Sequence, residues 1–458
     1  MKTIVIIGAG FSGAVTTVQL LRQHHTSPLR VVLVNGGERI ARGMAYGTQS
    51  PDHTLNVPAG NMSALEDDAE HFLRFAHTVD MRIDASSFVP RQIYGDYLEG
   101  LLEQTERDAP PHVTLERVFR HVAAIHPAND ATALVARLDD GSTIIADHIV
   151  LALGYFPSTL PIAGKAILSS KRYLGDPWEP GGMARIPADQ PVLLLGTGLT
   201  MVDTATTLLK QNPARPIIAV SRRGLVPHPH RHDGHRHGGD AGPGAIWGEA
   251  TTVREQLCEF RSYVRRLAAE RRDWRDAMTL LRPVAADIWL GYTEKERKRF
   301  LRHVQPYWDI HRHRLSPTLH QQLTESLQSG VIQTFAARII GFDENNTDIA
   351  VTLRRRGAAQ TIVVRAGAVI NCTGPCADPR NSGNELVQQL LRDGLIRADR
   401  LGLGLEVGND CAAIDQHGMS SDSLFYIGPW LKATYWEATA VPDLRRFALA
   451  LAQRLSRS

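Results

Sequence analysis

Two apolar runs, each ending abruptly in glycines, set the pattern of the chain. Thr3-Ile4-Val5-Ile6-Ile7 runs straight into Gly8-Ala9-Gly10-Phe11-Ser12-Gly13. Val192-Leu193-Leu194-Leu195 runs into Gly196-Thr197-Gly198-Leu199-Thr200-Met201. A short continuous apolar run bounded by a turn signal fits a buried strand, and the residues after each turn fit a helix. A further apolar run follows each unit, Leu29 to Val34 in the first case and Pro216 to Val220 in the second.

The second half of the chain echoes the first. After the first unit, strand-like alternation extends from His112-Val113-Thr114-Leu115 through Thr143-Ile144-Ile145 and ends in His148-Ile149-Val150-Leu151-Ala152-Leu153-Gly154. After the second, it extends from Val331-Ile332-Gln333-Thr334-Phe335 through Thr361-Ile362-Val363-Val364 and ends in Ala368-Val369-Ile370-Asn371-Cys372-Thr373-Gly374. Glycine turn, meander, then a buried strand ending in glycine therefore occurs twice. This self-similarity predicts an α/β chain with two Rossmann-like dinucleotide-binding domains. The first domain takes residues 1–160 and is completed by 375–458, which makes it discontinuous; the second takes 161–374. A Pro-rich linker from Pro157 to Pro161 separates them.

Between Ala250 and about Gly330 the apolar spacing turns helical, as in Val253-Arg254-Glu255-Gln256-Leu257-Cys258-Glu259-Phe260. This is longer than a connection requires, so an inserted helical subdomain is expected at about 250–330, either a cap over a substrate or simply added packing. The stretch from Val226 to Gly239 is a loop by composition. Its histidines lack a helical frame or flanking cysteines, so a mobile, partly charged loop is favoured over a metal site in 228–237.

The chain has 458 residues, 51 basic and 48 acidic, for a net charge of +3. Its length suits two or three domains, and the near balance of charge argues against a nucleic-acid partner. No apolar run approaches a membrane span, and Met1-Lys2 leads directly into a strand without a leader pattern, so a cytoplasmic location is expected. The four cysteines are Cys258, Cys372, Cys376 and Cys411. Only Cys372 and Cys376 are close in sequence. Their position at the end of a strand favours a buried small residue over a redox dithiol.

A glycine turn that opens a helix brings backbone N–H groups and the positive helix end close to a pyrophosphate. Two such turns suggest two dinucleotides and electron transfer between them. The first site comprises Gly8, Gly10, Phe11, Ser12 and Gly13, with Gly154 from the echoing strand. Asn35 stands where an acidic residue normally holds the ribose, and Glu38 is close enough to substitute. The second site comprises Gly196, Gly198, Leu199 and Thr200, with Gly374. Met201 occupies the position of the usual third glycine or alanine. Arg222 and Arg223, at the tip of the following strand, match a 2′-phosphate and predict NADPH over NADH. The bland alternative is a pair of solvated arginines.

Further motifs carry a resemblance. They are His53-Thr54-Leu55-Asn56-Val57-Pro58-Ala59-Gly60-Asn61-Met62-Ser63, Glu70-His71-Phe72-Leu73-Arg74-Phe75 and Phe88-Val89-Pro90-Arg91-Gln92-Ile93-Tyr94-Gly95-Asp96-Tyr97-Leu98. With Thr200-Met201-Val202-Asp203 and the segment from Trp436 to Arg445, the chain resembles a bacterial family of FAD/NAD(P)-binding oxidoreductases. More distantly it is similar to class B flavin monooxygenases, including N-hydroxylating ones. The resemblance implies FAD at the first turn and NADPH at the second. It places Asn56 near the reactive edge of the flavin, where the alternative is an Asn that caps a turn. It also implies flavin contacts near Gly428 and at Thr439 and Ala440, where a helix begins. Pro429 replaces the Asp that often follows such a glycine, so that carboxylate contact is missing.

The resulting expectation is an FAD-dependent, NADPH-consuming monooxygenase. It would transfer oxygen from molecular oxygen through a peroxyflavin to a small substrate, with an amine or amino acid as the leading class. Tyr307, Trp308, His311 and His313 are the candidate substrate residues, although ordinary helix surface explains them equally well. Two alternatives stand beside this reading: a reductase without oxygenation, and a non-enzymatic nucleotide sensor or metal-binding module. The sequence leaves the oligomeric state open.

Overall fold

The computed structural model describes residues 1–48, 50–128, 133–157, 167, 169–231 and 250–457. The chain divides into two compact units. One comprises residues 1–51, 57–156 and 376–458, and the other comprises residues 52–56 and 157–375.

The first unit is built on a six-stranded sheet. Its order is Ala412–Ile414, Ser420–Tyr426, His148–Leu151, Lys2–Ile7, Leu29–Val34, Val113–Val118. All neighbours are parallel except the first pair. Lys2–Ile7 lies at the centre, and Ile4, Val5 and Ile6 are fully buried, which explains the unbroken apolar run. The alternating region forms a separate three-stranded antiparallel meander, Val122–Pro127, Leu134–Leu138 and Thr143–Ala146.

The helix Phe11–Arg22 packs against the helices Arg91–Asp108 and Val441–Arg457, and its residues 11–21 are all buried. Its interior hydroxyls bond locally: Thr16 Oγ1 donates to the Ser12 carbonyl (2.7 Å) and Thr17 Oγ1 to that of Gly13 (2.9 Å). Val441–Arg457 packs against it and buries Val441, Leu444, Ala448, Leu451 and Leu455, an apolar stripe at helical spacing. The C-terminal segment is tied to the chain's exit from the sheet. Cys376 N donates to the Phe156 carbonyl (2.8 Å), and Trp430 Nε1 donates to that of Cys376 (3.0 Å). The Trp430 ring stacks on Phe156 at 5.0 Å.

The second unit holds a seven-stranded sheet in the order Thr361–Ala366, Ile349–Arg355, Ile332–Glu344, Ile217–Ser221, Val192–Leu195, Ala368–Asn371, Tyr173–Leu174. Ile332–Glu344 serves two partners. Its start runs parallel to Ile217–Ser221, and its end from Ala337 pairs antiparallel with Ile349–Arg355. The outer three strands thus form an antiparallel arm.

The region expected as a helical insertion contains Val253–Ala269, Trp274–Leu281, Ala285–Gly291, Glu294–His303, Gln305–Arg312 and Pro317–Gln328. Local sequence starts several of them. Thr252 and Glu255 form a capping box, Thr293 caps the fourth, and Ser316 caps the last, with Pro317 in its first turn. The last helix belongs to the sheet, because Leu323 is buried in the sheet's core with Leu319 and Leu327 packed alongside. The expected linker at 158–161 and most of the histidine loop (232–239) lie outside the described residues, while Pro157, His228, His230 and Arg231 are described. No described helix is long and apolar enough to cross a membrane.

Candidate dinucleotide sites

The first glycine turn sits at the carboxyl end of the central strand of its sheet. Gly8 has φ +102°, and a Cβ there would stand 2.3 Å from the Ala152 carbonyl oxygen. A Cβ on Gly13 would stand 1.8 Å from the Gly8 oxygen. The first and third glycines therefore permit the close contact of strand, turn and helix. Gly10 is the N-cap in an extended conformation, and no side chain caps the helix. Its first turn also carries no acidic residue. Its leading amides and positive end suit a phosphate.

Two more predicted glycines converge nearby. Gly154 (φ +70°) follows His148–Leu151, and Gly428 (φ +149°) follows Ser420–Tyr426. A Cβ on Gly428 would lie 3.9 Å from Gly154 N. Thr439 and Ala440 immediately precede Val441–Arg457, and the Ala440 carbonyl accepts from Asp443 N and Leu444 N (both 3.0 Å). Sequence reasoning missed Gly43. A Cβ on this residue would lie 3.1 Å from Gly10 Cα, so the 41–43 loop lies against the turn. Nothing but a lone glycine marked it.

Asn35 does structural work rather than presenting its carboxamide outward. Its Oδ1 accepts from Ala9 N (3.2 Å), and its Nδ2 donates to the carbonyls of Gly37 (2.7 Å) and Arg39 (3.2 Å). The oxygen thereby holds the glycine turn, while both amide hydrogens are used within the 35–39 loop. Glu38 is exposed on that loop.

The second turn repeats the geometry with one change. Gly196 has φ +114°, and a Cβ there would stand 2.3 Å from the Cys372 oxygen, whereas one on Gly198 would meet nothing within 4 Å. Gly198 caps Leu199–Gln211 in an extended conformation. Met201, in place of the third glycine, is fully buried in the sheet's core. Where the first unit brings its helix onto the turn at Gly13, the second fills that place with a side chain. Thr200 is partly buried in the first turn of the helix, and Gly374 has φ +90° after Ala368–Asn371.

The two arginines at the strand tip differ. Arg223 donates to the carbonyls of Arg302 and His303 (2.5 and 3.4 Å) and lies over the Tyr307 ring at 5.1 Å. Arg222 is exposed and makes no hydrogen bond among the described residues.

The candidate substrate residues make separate ring contacts. Trp308 is buried against Phe300 (6.2 Å), and Tyr307 faces Arg223. His311 packs on His228 (4.5 Å) and Trp274 (4.7 Å), and His313 lies 3.9 Å from Asp309. Helical geometry alone separates adjacent residues onto different faces. Asn56 has its backbone carbonyl held by His230 Nε2 (3.0 Å), while its carboxamide makes no hydrogen bond among the described residues.

Both cysteines of the close pair are free thiols. Burial pushes the Cys372 thiol up to about 12, and burial also raises that of Cys376. Neither has the lowered pKa of a reactive thiol. Among the described residues no group of three His, Cys, Asp or Glu side chains is arranged to hold a metal.

The comparisons fit this geometry. Residues 5–156 match the FAD-NAD(P)-binding family model. No curated protein sequence matches the chain. The structure is similar to an ornithine N-hydroxylase from Kutzneria sp. 744, whose structure holds reduced FAD, NADP+ and L-ornithine. The identity is 14%, the TM-score 0.66, and 99% of this chain and 98% of that chain are covered. It is also similar to an L-lysine 6-monooxygenase from Pseudomonas syringae, at 13% identity and TM-score 0.67, with 100% and 99% covered. A thioredoxin reductase from Lactococcus lactis matches at 10% identity and TM-score 0.53, with 100% and 98% covered. At these identities the likeness is one of fold.

Proposed function

We propose that the chain is a flavin-dependent oxidoreductase that consumes NADPH and acts as a monooxygenase on a small substrate carrying an amine. The observation that carries the dinucleotide part is the doubled glycine turn, each copy with its first glycine pressed on a neighbouring strand and an uncapped helix beyond. Gly8, Gly10 and Gly13, with the amides that follow Gly10, fit the FAD pyrophosphate, and Gly154 and Gly428 border the same turn's sheet edge. Gly196 and Gly198 fit the NADPH pyrophosphate, and Arg222 supplies a free guanidinium for the 2′-phosphate. Bound flavin supplies the electron-transfer and oxygen chemistry, and the chain's residues bind, orient and exclude water.

The monooxygenase part rests on the shared fold with N-hydroxylating enzymes and on the burial of the one close cysteine pair. A reductase of the dithiol type needs a thiolate, and burial of Cys372 and Cys376 works against one. Asn56 is the catalytic candidate, since its backbone is pinned and its carboxamide remains available to donate and accept.

The test is coupled turnover. Purified protein with FAD is supplied with NADPH and a panel of diamines and basic amino acids, with oxygen uptake and hydroxylated product measured together. The reading expects one amine to raise NADPH oxidation with product formed in proportion, and Asn56→Ala to lose product while keeping FAD. Oxidation that yields only hydrogen peroxide with every amine, or that needs a separate electron acceptor, contradicts it.

A further inference from the structure

A cavity of about 430 Å³ opens in the second unit, where the tip of Ile217–Ser221 meets the antiparallel arm. Among the described residues seven arginines line it, and no carboxylate does. Arg222 and Arg223 come from the strand tip and Arg302 from the helix Glu294–His303. Arg338 comes from the long strand, Arg354 and Arg355 from the end of its partner, and Arg356 from the turn directly after it.

The backbone holds these groups together around one residue. Gly224 (φ +64°) fixes the tip, since a Cβ there would stand 3.1 Å from Ala336 N. The Ala336 carbonyl accepts from Arg356 N (2.8 Å). Two residues on, Arg338 pairs directly across the ladder with Arg354. Like charges directly opposite on a sheet are destabilising, yet neither has an acidic partner among the described residues. Arg223 is occupied by helix carbonyls, and Arg355 lies over the Phe335 ring at 4.9 Å. Among the described residues, Arg222, Arg302, Arg338, Arg354 and Arg356 remain without a carboxylate. A coenzyme 2′-phosphate brings at most about two negative charges, too few for that set.

We propose that the arm half of this cavity, built by Arg338, Arg354 and Arg356, binds a second phosphorylated small molecule with at least two phosphate groups, alongside the coenzyme phosphate at Arg222. Guanidinium forks match phosphate oxygens, and a concave cavity of this size suits a small ligand rather than a flat macromolecular contact. The coenzyme part of the argument rests on the NADPH reading above, whereas the arginine arm does not depend on it.

The test uses the full-length protein and inorganic pyrophosphate, with binding followed by calorimetry at low ionic strength. Saturable binding of one pyrophosphate is expected, and it should persist when NADP+ is saturating. The Arg338→Ala/Arg354→Ala variant should lose about tenfold or more in pyrophosphate affinity, as expected for charge-assisted bonds, while its KM for NADPH stays within about twofold. Because this substitution removes a repulsive exposed pair, its unfolding midpoint at low salt should equal or exceed that of the wild type. Displacement of pyrophosphate by NADP+ overturns the proposal, since the arm then serves the coenzyme alone. So does sulfate binding as tightly as pyrophosphate, or binding only of an acidic macromolecule. Wild-type protein that binds pyrophosphate but neither holds flavin nor oxidises NADPH would instead count against the oxidoreductase reading.

Discussion

Adding a single methyl group at Gly13 tests whether the first turn is a phosphate cradle set by close backbone contact. The new Cβ would stand 1.8 Å from the Gly8 oxygen and 3.3 Å from Ala152 Cβ. Real Cβ contacts almost never fall below 3.0 Å, so the helix must retreat by about 1.2 Å at its first turn. It has little room to do so, because it is buried along residues 11–21 against two other helices. Overpacking of this kind costs about 1–3 kcal/mol. The retreat also withdraws the leading amides from the phosphate position. Gly13→Ala should therefore purify with well under one FAD per chain, stay deficient after dialysis against FAD, and unfold at lower denaturant. Gly198→Ala is the contrast, because its Cβ would meet nothing within 4 Å and its φ is an ordinary −87°. It should keep full flavin and stability, yet raise the KM for NADPH because the methyl occupies the approach to that turn. The assay is the flavin-to-protein absorbance ratio with urea unfolding on all three proteins. A Gly13→Ala protein with full flavin and unchanged stability would refute the reasoning.

Other outcomes follow from individual side chains. Arg222→Ala should raise the KM for NADPH about tenfold and leave that for NADH unchanged, the loss expected for a charge-assisted bond. Arg223→Ala should chiefly lower stability, since that guanidinium holds the carbonyls of Arg302 and His303. Equal effects of the two on NADPH would contradict this division. Cys372→Ala and Cys376→Ala should each leave NADPH oxidation within about twofold, because buried thiols with raised pKa values supply little thiolate. Burial, assisted by the charge of Arg314, holds the His230 imidazole down at about 3, against about 6.5 when unfolded. Between those values the unfolded chain binds the extra proton, so stability is full above about pH 6.5 and is lost as pH falls toward 3. His230→Gln should flatten that loss in urea titrations at pH 7 and pH 5. An unchanged slope would show that His230 is not a source of the acid sensitivity.

The sheet cores were legible because their strands are apolar on both faces. Ile4 to Ile6 and Val192 to Leu195 are buried and read as continuous runs. The glycine turns were legible because steric demand leaves no other residue at Gly8, Gly13 and Gly196. Contacts made through partners distant in sequence were not. Gly43 meets Gly10, and Arg338 meets Arg354, only after the chain folds. The run Arg354-Arg355-Arg356-Gly357 reads alone as a solvated turn. Asn35 shows the opposite case, since a residue noticed for its position spends its hydrogen bonds on its own loop. For Tyr307, Trp308, His311 and His313 the sequence showed only that they are near one another along the chain; their ring partners Arg223, Phe300, His228 and Trp274 come from other elements and were not legible.

Anaerobic mixing of the FAD-loaded protein with NADPH is the most direct check on the central claim. The account predicts that the yellow flavin absorbance bleaches within the time of turnover, at one NADPH per flavin, and more slowly in Arg222→Ala at limiting NADPH. Protein that stays colourless in excess FAD, or whose bound flavin keeps its absorbance in the presence of NADPH, would contradict it.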